Sequence, residues 1–331
     1  MKQTLVLFTK SGTNCYELNL PMDTRVKERV DKVGTAYIKA FWVGLLEGDG
    51  SIKTSLVNYG TTVSYGMEIE QDYYPETEVM HHAIVTVLGG QVTILRENEG
   101  RPRPRIKWET NDLAVVKEFI KVLEESPPLI TQSSGRFALR QKVVAKRDLY
   151  LRGGCTMEEL VSFTKKGLET CFDGRGQYWR SSYKDIPYFE AWLSGFMGAE
   201  GCWAFTTSIS TQGTESKAVR FLINQKYEQY ILEFIRDYCG AVKSKITRRE
   251  EDLFVFEVVN RPSIDVLHRH VHKYPLLGVK GSQFQAHFDF IRTKRTNQIK
   301  SVYYTFQIPE DSLFMQIPQG SPYTQGKKKD F

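Results

Sequence analysis

The sequence predicts an α+β protein built from two pseudo-symmetric αββαββα repeats, each with a four-stranded antiparallel sheet, joined at a two-helix interface. Three observations carry that expectation. A sixteen-residue pattern occurs twice, 151 residues apart; the elements behind each copy follow in the same order; and small residues four apart clear one face of each pattern helix. A chain of 331 residues has room for two units of ordinary domain size, each able to bury a core without disulfide or metal staples.

The pattern reads YIKAFWVGLLEGDGSI over residues 37–52 and YFEAWLSGFMGAEGCW over residues 188–203, so Gly44 matches Gly195 and Asp49 matches Glu200. Behind the first copy SIKTSLV and SYGMEIEQ alternate as strands do. CWAFTTSIS and KAVRFLINQ do so behind the second, and each second strand ends in glutamine, Gln71 or Gln225. A helix follows in each half. Val79, Met80, Ala83, Ile84, Val87 and Leu88 share one helical stripe, as do Tyr230, Ile231, Phe234, Ile235 and Tyr238, and both helices run into glycine. Strand pairs are expected at about 91–97 with 103–109 and 241–249 with 253–260. The closing helices carry Leu113, Val116, Ile120 and Leu123, and Ile264, Leu267, Val271 and Tyr274, at matching spacing. The predicted organisation is an N-terminal extension (1–34), a first repeat (35–149), a linker (150–187), a second repeat (188–295) and a tail (296–331).

Composition narrows the class. With 41% hydrophobic and 25% charged residues the chain is of the folded type, and its formal charge of +6 permits a polyanionic partner without requiring one. Five cysteines with no CxxC spacing argue against a disulfide framework or a cysteine zinc site. No signal peptide, transit peptide or membrane span is expected, since the most apolar stretch, 83–95, is too short and too polar. The histidines of LHRHVHKY, His268, His270 and His272, read as helix-surface residues rather than a metal clamp, and Gly174-Arg175-Gly176 reads as turn chemistry in the linker.

Gly44 with Gly48, and Gly195 with Ala199, remove bulk from one face of each pattern helix, which lets two backbones approach. Taken singly, Asp-Gly or Glu-Gly after a helix is ordinary turn chemistry. If the two helices pack about a pseudo-two-fold axis, however, Asp49 and Glu200 meet at helix C-termini, where the macrodipoles are already negative. That arrangement asks for a cation, and hard oxygen ligands suit Mg²⁺.

WVGLLEGDG and LSGFMGAEG, with the element order behind each, resemble the two motifs of a single-chain LAGLIDADG homing endonuclease of the organellar, intron-encoded type. The resemblance spans about residues 35–140 and 186–295. It implies a saddle of two sheets straddling DNA, with the motif helices at the interface, and metal-dependent hydrolysis of both strands of a long asymmetric target, leaving 3′ overhangs. The eighth motif position, whose carboxylate holds the catalytic cations in the family, falls on Asp49 and Glu200; the resemblance places Gly48 and Ala199 beside them in the metal set. Gln71 and Gln225 match residues that hydrogen-bond metal-bound water, and Lys280 matches a basic residue near the scissile phosphate. The first repeat has no such lysine: 131–136 reads TQSSGR, so either Arg136 substitutes or polar groups serve alone. The sixth motif positions, Glu47 and Gly198, imply nothing. The expected cofactor is Mg²⁺, with Mn²⁺ able to substitute and Ca²⁺ binding without supporting cleavage.

A curved strand ribbon fits the major groove and shows every second side chain to base edges. Alternation selects Lys53, Ser55, Val57 and Tyr59, then Arg103, Arg105 and Lys107, in the first repeat. In the second it selects Ala204, Thr206, Ser208 and Ser210, then Lys243, Lys245, Thr247 and Arg249. The expected partner is double-stranded DNA, with no membrane and no obligate protein partner, and the expected state is a monomer made in a mitochondrion or chloroplast, the mitochondrion favoured. Two other readings share the fold: an intron maturase that binds host intron RNA, and a DNA-binding protein with a dormant site. The paired acids speak against the second of these.

Overall fold

The computed structural model describes residues 21–96, 103–170, 182–209, 215–250 and 252–297. Met22–Ile291 form one compact unit; the second, Met1–Pro21 with Arg292–Phe331, falls outside the described residues except for Pro21 and the end of the last helix.

After α1 (Met22–Val33), the first half runs α2 (Thr35–Asp49), β1 (Gly50–Val57), β2 (Thr62–Asp72), α3 (Pro75–Leu88), β3 (Gln91–Leu95), β4 (Arg105–Thr110), α4 (Leu113–Glu125) and α5 (Thr131–Leu151). Next comes α6 (Met157–Thr170). The second half repeats the order as α7 (Phe189–Glu200), β5 (Gly201–Ile209), β6 (Glu215–Lys226), α8 (Gln229–Tyr238), β7 (Ile246–Glu250), β8 (Leu253–Val258), α9 (Arg261–Lys273) and α10 (Val279–Asn297). Both sheets are four-stranded and antiparallel, in the order β1-β2-β4-β3 and β5-β6-β8-β7.

Local chemistry sets the boundaries. Pro75 opens α3 without wasting an N–H, Asp112 accepts from Ala114 N and Val115 N at the start of α4, and Asn260 accepts from Ser263 N at the start of α9. Each such cap is worth about 1 kcal/mol. On β4 the alternation is plain: Ile106 and Trp108 are buried and Arg105 and Lys107 face out. Trp108 packs edge-on to Trp42 of α2 and Phe119 of α4, so the first sheet is pinned to the motif helix. In the second half Trp203 of β5 meets Phe221, Phe284, His268 and His287.

Several expectations are corrected. Each repeat continues past its closing helix into another, α5 or α10, and α6 occupies part of the predicted linker. The outer strands are shorter than expected. Lys243 and Lys245 precede β7, Arg103 precedes β4, and Tyr59 sits in the β1-β2 turn, where Asn58, Tyr59 and Gly60 all have positive φ. Two of the three histidines of α9 are not surface residues either. His268 and His270 are buried, the former among Trp203, Phe284, Phe288 and His287, the latter between the hydroxyls of Ser194 and Tyr238; only His272 is exposed. The stripe Ile264, Leu267 and Val271 is inward as expected, and the two histidines flank it, His268 against His287 of α10 and His270 against Ser194 of α7 and Tyr238 of α8.

Candidate active site and nucleic-acid interface

The site starts from the two motif helices. A Cβ built on Gly44 would lie 1.9 Å from Trp192 O, and one on Gly195 would lie 1.9 Å from Phe41 O. The backbones of α2 and α7 are therefore in reciprocal contact, as a pseudo-two-fold crossing requires. A Cβ on Gly48 would fall 2.3 Å from Ala199 Cβ and 3.3 Å from Glu200 Cγ, so the helix ends converge as well.

Convergence brings the carboxylates of Asp49 and Glu200 within each other's field. Burial, with the charge of Asp49 added, pushes Glu200 up to about 7, against the attraction of Lys280. Asp49 presents surface to solvent but is crowded by protein, and that desolvation raises its carboxyl above the ordinary range, opposed by Gln71 and Lys280. Two desolvated acids beside one another are costly, and the cost falls when a cation sits between them.

The partners of the two acids differ. Gln71 Nε2 donates to Asp49 Oδ2 at 2.7 Å, and His81 Nε2 lies 3.3 Å from the amide oxygen of the same glutamine. Gln225 instead donates to Lys226 O at 3.1 Å, and no hydrogen bond joins it to Glu200 among the described residues. Lys280 Nζ donates to Gly201 O at 2.6 Å, next to Glu200. Lys280 is the second residue of α10, and the second residue of α5 is Gln132, which is exposed. The lysine's counterpart is thus a neutral amide. Arg136 lies one turn further along α5 and lines a cleft with Ser51, Lys53, Ser55 and Leu139.

Sequence reasoning missed a set of ties between the halves. Tyr37 OH donates to Pro275 O at 2.7 Å and Tyr188 OH donates to Pro127 O, so each motif helix holds the loop before the last helix of the opposite repeat. Both tyrosines belong to the repeated pattern, and that recurrence was the available signal. Glu47, the sixth motif residue, is tied more tightly still: it accepts from Leu129 N at 2.9 Å, Ile130 N at 2.6 Å and Trp192 Nε1 at 2.5 Å. Burial pushes its carboxyl up to about 8 against those three donors. Its position fixes the start of α5. At Gly198, its counterpart, an added Cβ would meet Phe41 and Leu45 only at ordinary contact distance, 3.6 Å and beyond.

The outward face of the first sheet carries Lys53, Ser55 and Val57 on β1, all exposed, with Arg105 and Lys107 on β4. Its cations are already paired. Lys53 bridges to Glu68; Lys107 lies 3.3 Å from Glu68 and 2.5 Å from Glu109; Arg105 lies 3.3 Å from Glu70 and 3.8 Å from Asp72. In the second half Ala204 alternates with inward Trp203, Thr206 and Ser208 fall on β5, and Ser210 lies outside the described residues. Lys243, Lys245, Thr247 and Arg249 are exposed, and none of these three cations has an ion-pair partner among the described residues.

Two four-stranded antiparallel sheets about a crossed pair of helices, each helix ending in an acid, make up a fold that solved LAGLIDADG structures share. Residues 193–291 match the family model described as LAGLIDADG endonuclease. A probable intron-encoded endonuclease aI3 of Dictyostelium citrinum is 28% identical over 261 residues, 78% of this chain and 97% of that one. Among solved structures, the I-LtrWI LAGLIDADG homing endonuclease bound to target DNA has a TM-score of 0.60 at 18% identity, over 80% of this chain and 92% of that one. The I-CpaMI meganuclease bound to uncleaved DNA has a TM-score of 0.57 at 17% identity, over 77% and 92%. These structures share the fold. No helix among the described residues is long and apolar enough to cross a membrane.

Proposed function

We propose that the chain is a site-specific, metal-dependent DNA endonuclease that hydrolyses one phosphodiester in each strand of a long asymmetric target and leaves 3′ overhangs. The observation that carries this reading is the convergence of Asp49 and Glu200 at the ends of α2 and α7, each desolvated and Glu200 further raised by its neighbour's charge. Among the described residues no group of three or more His, Cys, Asp or Glu gathers to hold a metal, at this site or elsewhere. Hard carboxylate oxygens at a dipole-negative pole suit Mg²⁺, with backbone groups of Gly48 and Ala199 adjacent. Bound there, a divalent cation supplies an activated water and a counter-charge for the departing 3′ oxygen.

The protein's own groups do the remainder. Gln71 orients hydrogen-bonded groups at the Asp49 side, while Lys280 places an ammonium where charge builds on the phosphoryl oxygens at the Glu200 side. Lys53, Arg105 and Lys107 on one sheet, and Lys243, Lys245 and Arg249 by the other, meet phosphates and base edges, and the neutral outward residues between them read shape and methyl groups. Because one chain supplies both acids, one copy completes the site. The relative's description as intron-encoded supports synthesis within an organelle.

A cleavage selection from a plasmid target library in Mg²⁺ tests the reading. Asp49→Asn and Glu200→Gln are each expected to lower double-strand cleavage by at least about 100-fold, the scale of losing one pre-organised charge-stabilising group. Retained cleavage in both variants, or none by the unaltered chain on any library member, overturns it.

A further inference from the structure

Behind the amide of Gln71, on the side away from Asp49, stands an imidazole. His81, on α3, is 0% exposed, and its Nε2 lies 3.3 Å from Gln71 Oε1. Its other nitrogen, Nδ1, has no hydrogen-bond partner among the described residues. Burial holds the imidazolium form down to about 3, with His82 adding to the effect, so the ring is neutral and carries one N–H and one lone pair. A proton on Nδ1 would bury an unpaired donor and set the Nε2 lone pair against those of the amide oxygen. A proton on Nε2 makes a bond and leaves only an acceptor without a partner, which costs less.

With the ring so fixed, the glutamine has one orientation. Its oxygen accepts from His81, and its NH₂ faces the Asp49 carboxylate at 2.7 Å. Turning the amide over would oppose oxygen to oxygen at Asp49 and N–H to N–H at His81. Among the described residues the second half shows no such device: the buried positions of α8 are Ile231, Leu232, Phe234 and Ile235, and Gln225 turns to the backbone of its neighbour.

We propose that His81 is a positioning residue which, by donating from Nε2 to Gln71 Oε1, fixes the direction of the Gln71 amide and so pre-organises the Asp49 half of the site alone. The functional part of this inference rests on the endonuclease reading; the orientation itself does not. His81 does not reach the reacting atoms. Its effect passes through Gln71, as a supporting hydrogen bond fixes a residue that touches the chemistry.

Two variants and one spectrum test it. On a duplex carrying a library-selected target, with each strand labelled separately, His81→Leu is expected to slow single-turnover nicking of one strand by about tenfold and leave the other within about twofold, while His81→Gln, which restores a donor, recovers most of the loss. Equal slowing of both strands, or no slowing, overturns the proposal. Long-range ¹⁵N NMR of the unaltered full chain is expected to show His81 as the Nε2–H tautomer, and the Nδ1–H tautomer overturns it even if His81→Leu fails to fold. If the unaltered chain cleaves nothing the endonuclease reading falls, and the spectrum still decides the orientation.

Discussion

The two halves of the site rest on nearly the same backbone and carry different chemistry. On one side Asp49 is held by Gln71 with His81 behind it, and the place of the basic residue is taken by Gln132. On the other, Glu200 stands beside Lys280 and its glutamine is turned away. The difference shows that the crossing of α2 and α7 constrains only the small residues and the two acids. Everything one layer out can diverge, because those side chains answer to their own half's helices.

The sharpest break to apply is at the crossing itself. Gly44→Ala and Gly195→Ala push a methyl into the facing backbone, where no side chain can swing aside, and each is expected to destabilise the fold by about 3 kcal/mol or more. Gly198→Ala, with its nearest contact at 3.6 Å, is expected to be neutral or to stabilise α7 by up to about 1 kcal/mol. Urea unfolding of the three variants checks this, and similar midpoints for all three would contradict the helix contact.

Exchanging the unlike second residues of α5 and α10 probes the next layer. Lys280→Gln should slow nicking of one strand by roughly 100-fold and Gln132→Lys should speed the other, so that the double variant reverses the strand preference. Strand-resolved nicking by the unaltered chain at equal rates would remove the basis for this comparison.

The smallest expected effects concern the sheets. On the proposed reading phosphates compete with Glu68, Glu70 and Glu109 for the cations of the first sheet, whereas Lys243, Lys245 and Arg249 have no ion pair to give up among the described residues. Lys243→Ala should reduce the slope of log K against log salt by about 0.9 if it meets one phosphate, and Lys107→Ala by less. Fluorescence anisotropy on a selected duplex across a salt series measures both, and a larger change for Lys107→Ala would reverse the assignment.

Period and recurrence lie within short stretches of chain, which is why the seven elements of each repeat, the glycine face of each motif helix and the pair Asp49 and Glu200 were readable in order. The last helices were harder. On α5 and α10 the apolar residues do not form one clean stripe, because these helices touch several neighbours. His268 and His270 were misplaced for a related reason: a histidine buried against Trp203 or between two hydroxyls has the same local pattern as one on a surface.

The sequence by itself determined the repeat, the crossing and the two acids, since each is a matter of residue type at fixed spacing. Only the tertiary structure decided that Gln132 stands where Lys280 stands, that Glu47 ties α5 to α7, and that His81 backs Gln71 but nothing comparable among the described residues backs Gln225. Those facts depend on side chains from elements distant in the chain meeting within hydrogen-bond range, and such meetings follow from packing rather than from any periodicity along the chain.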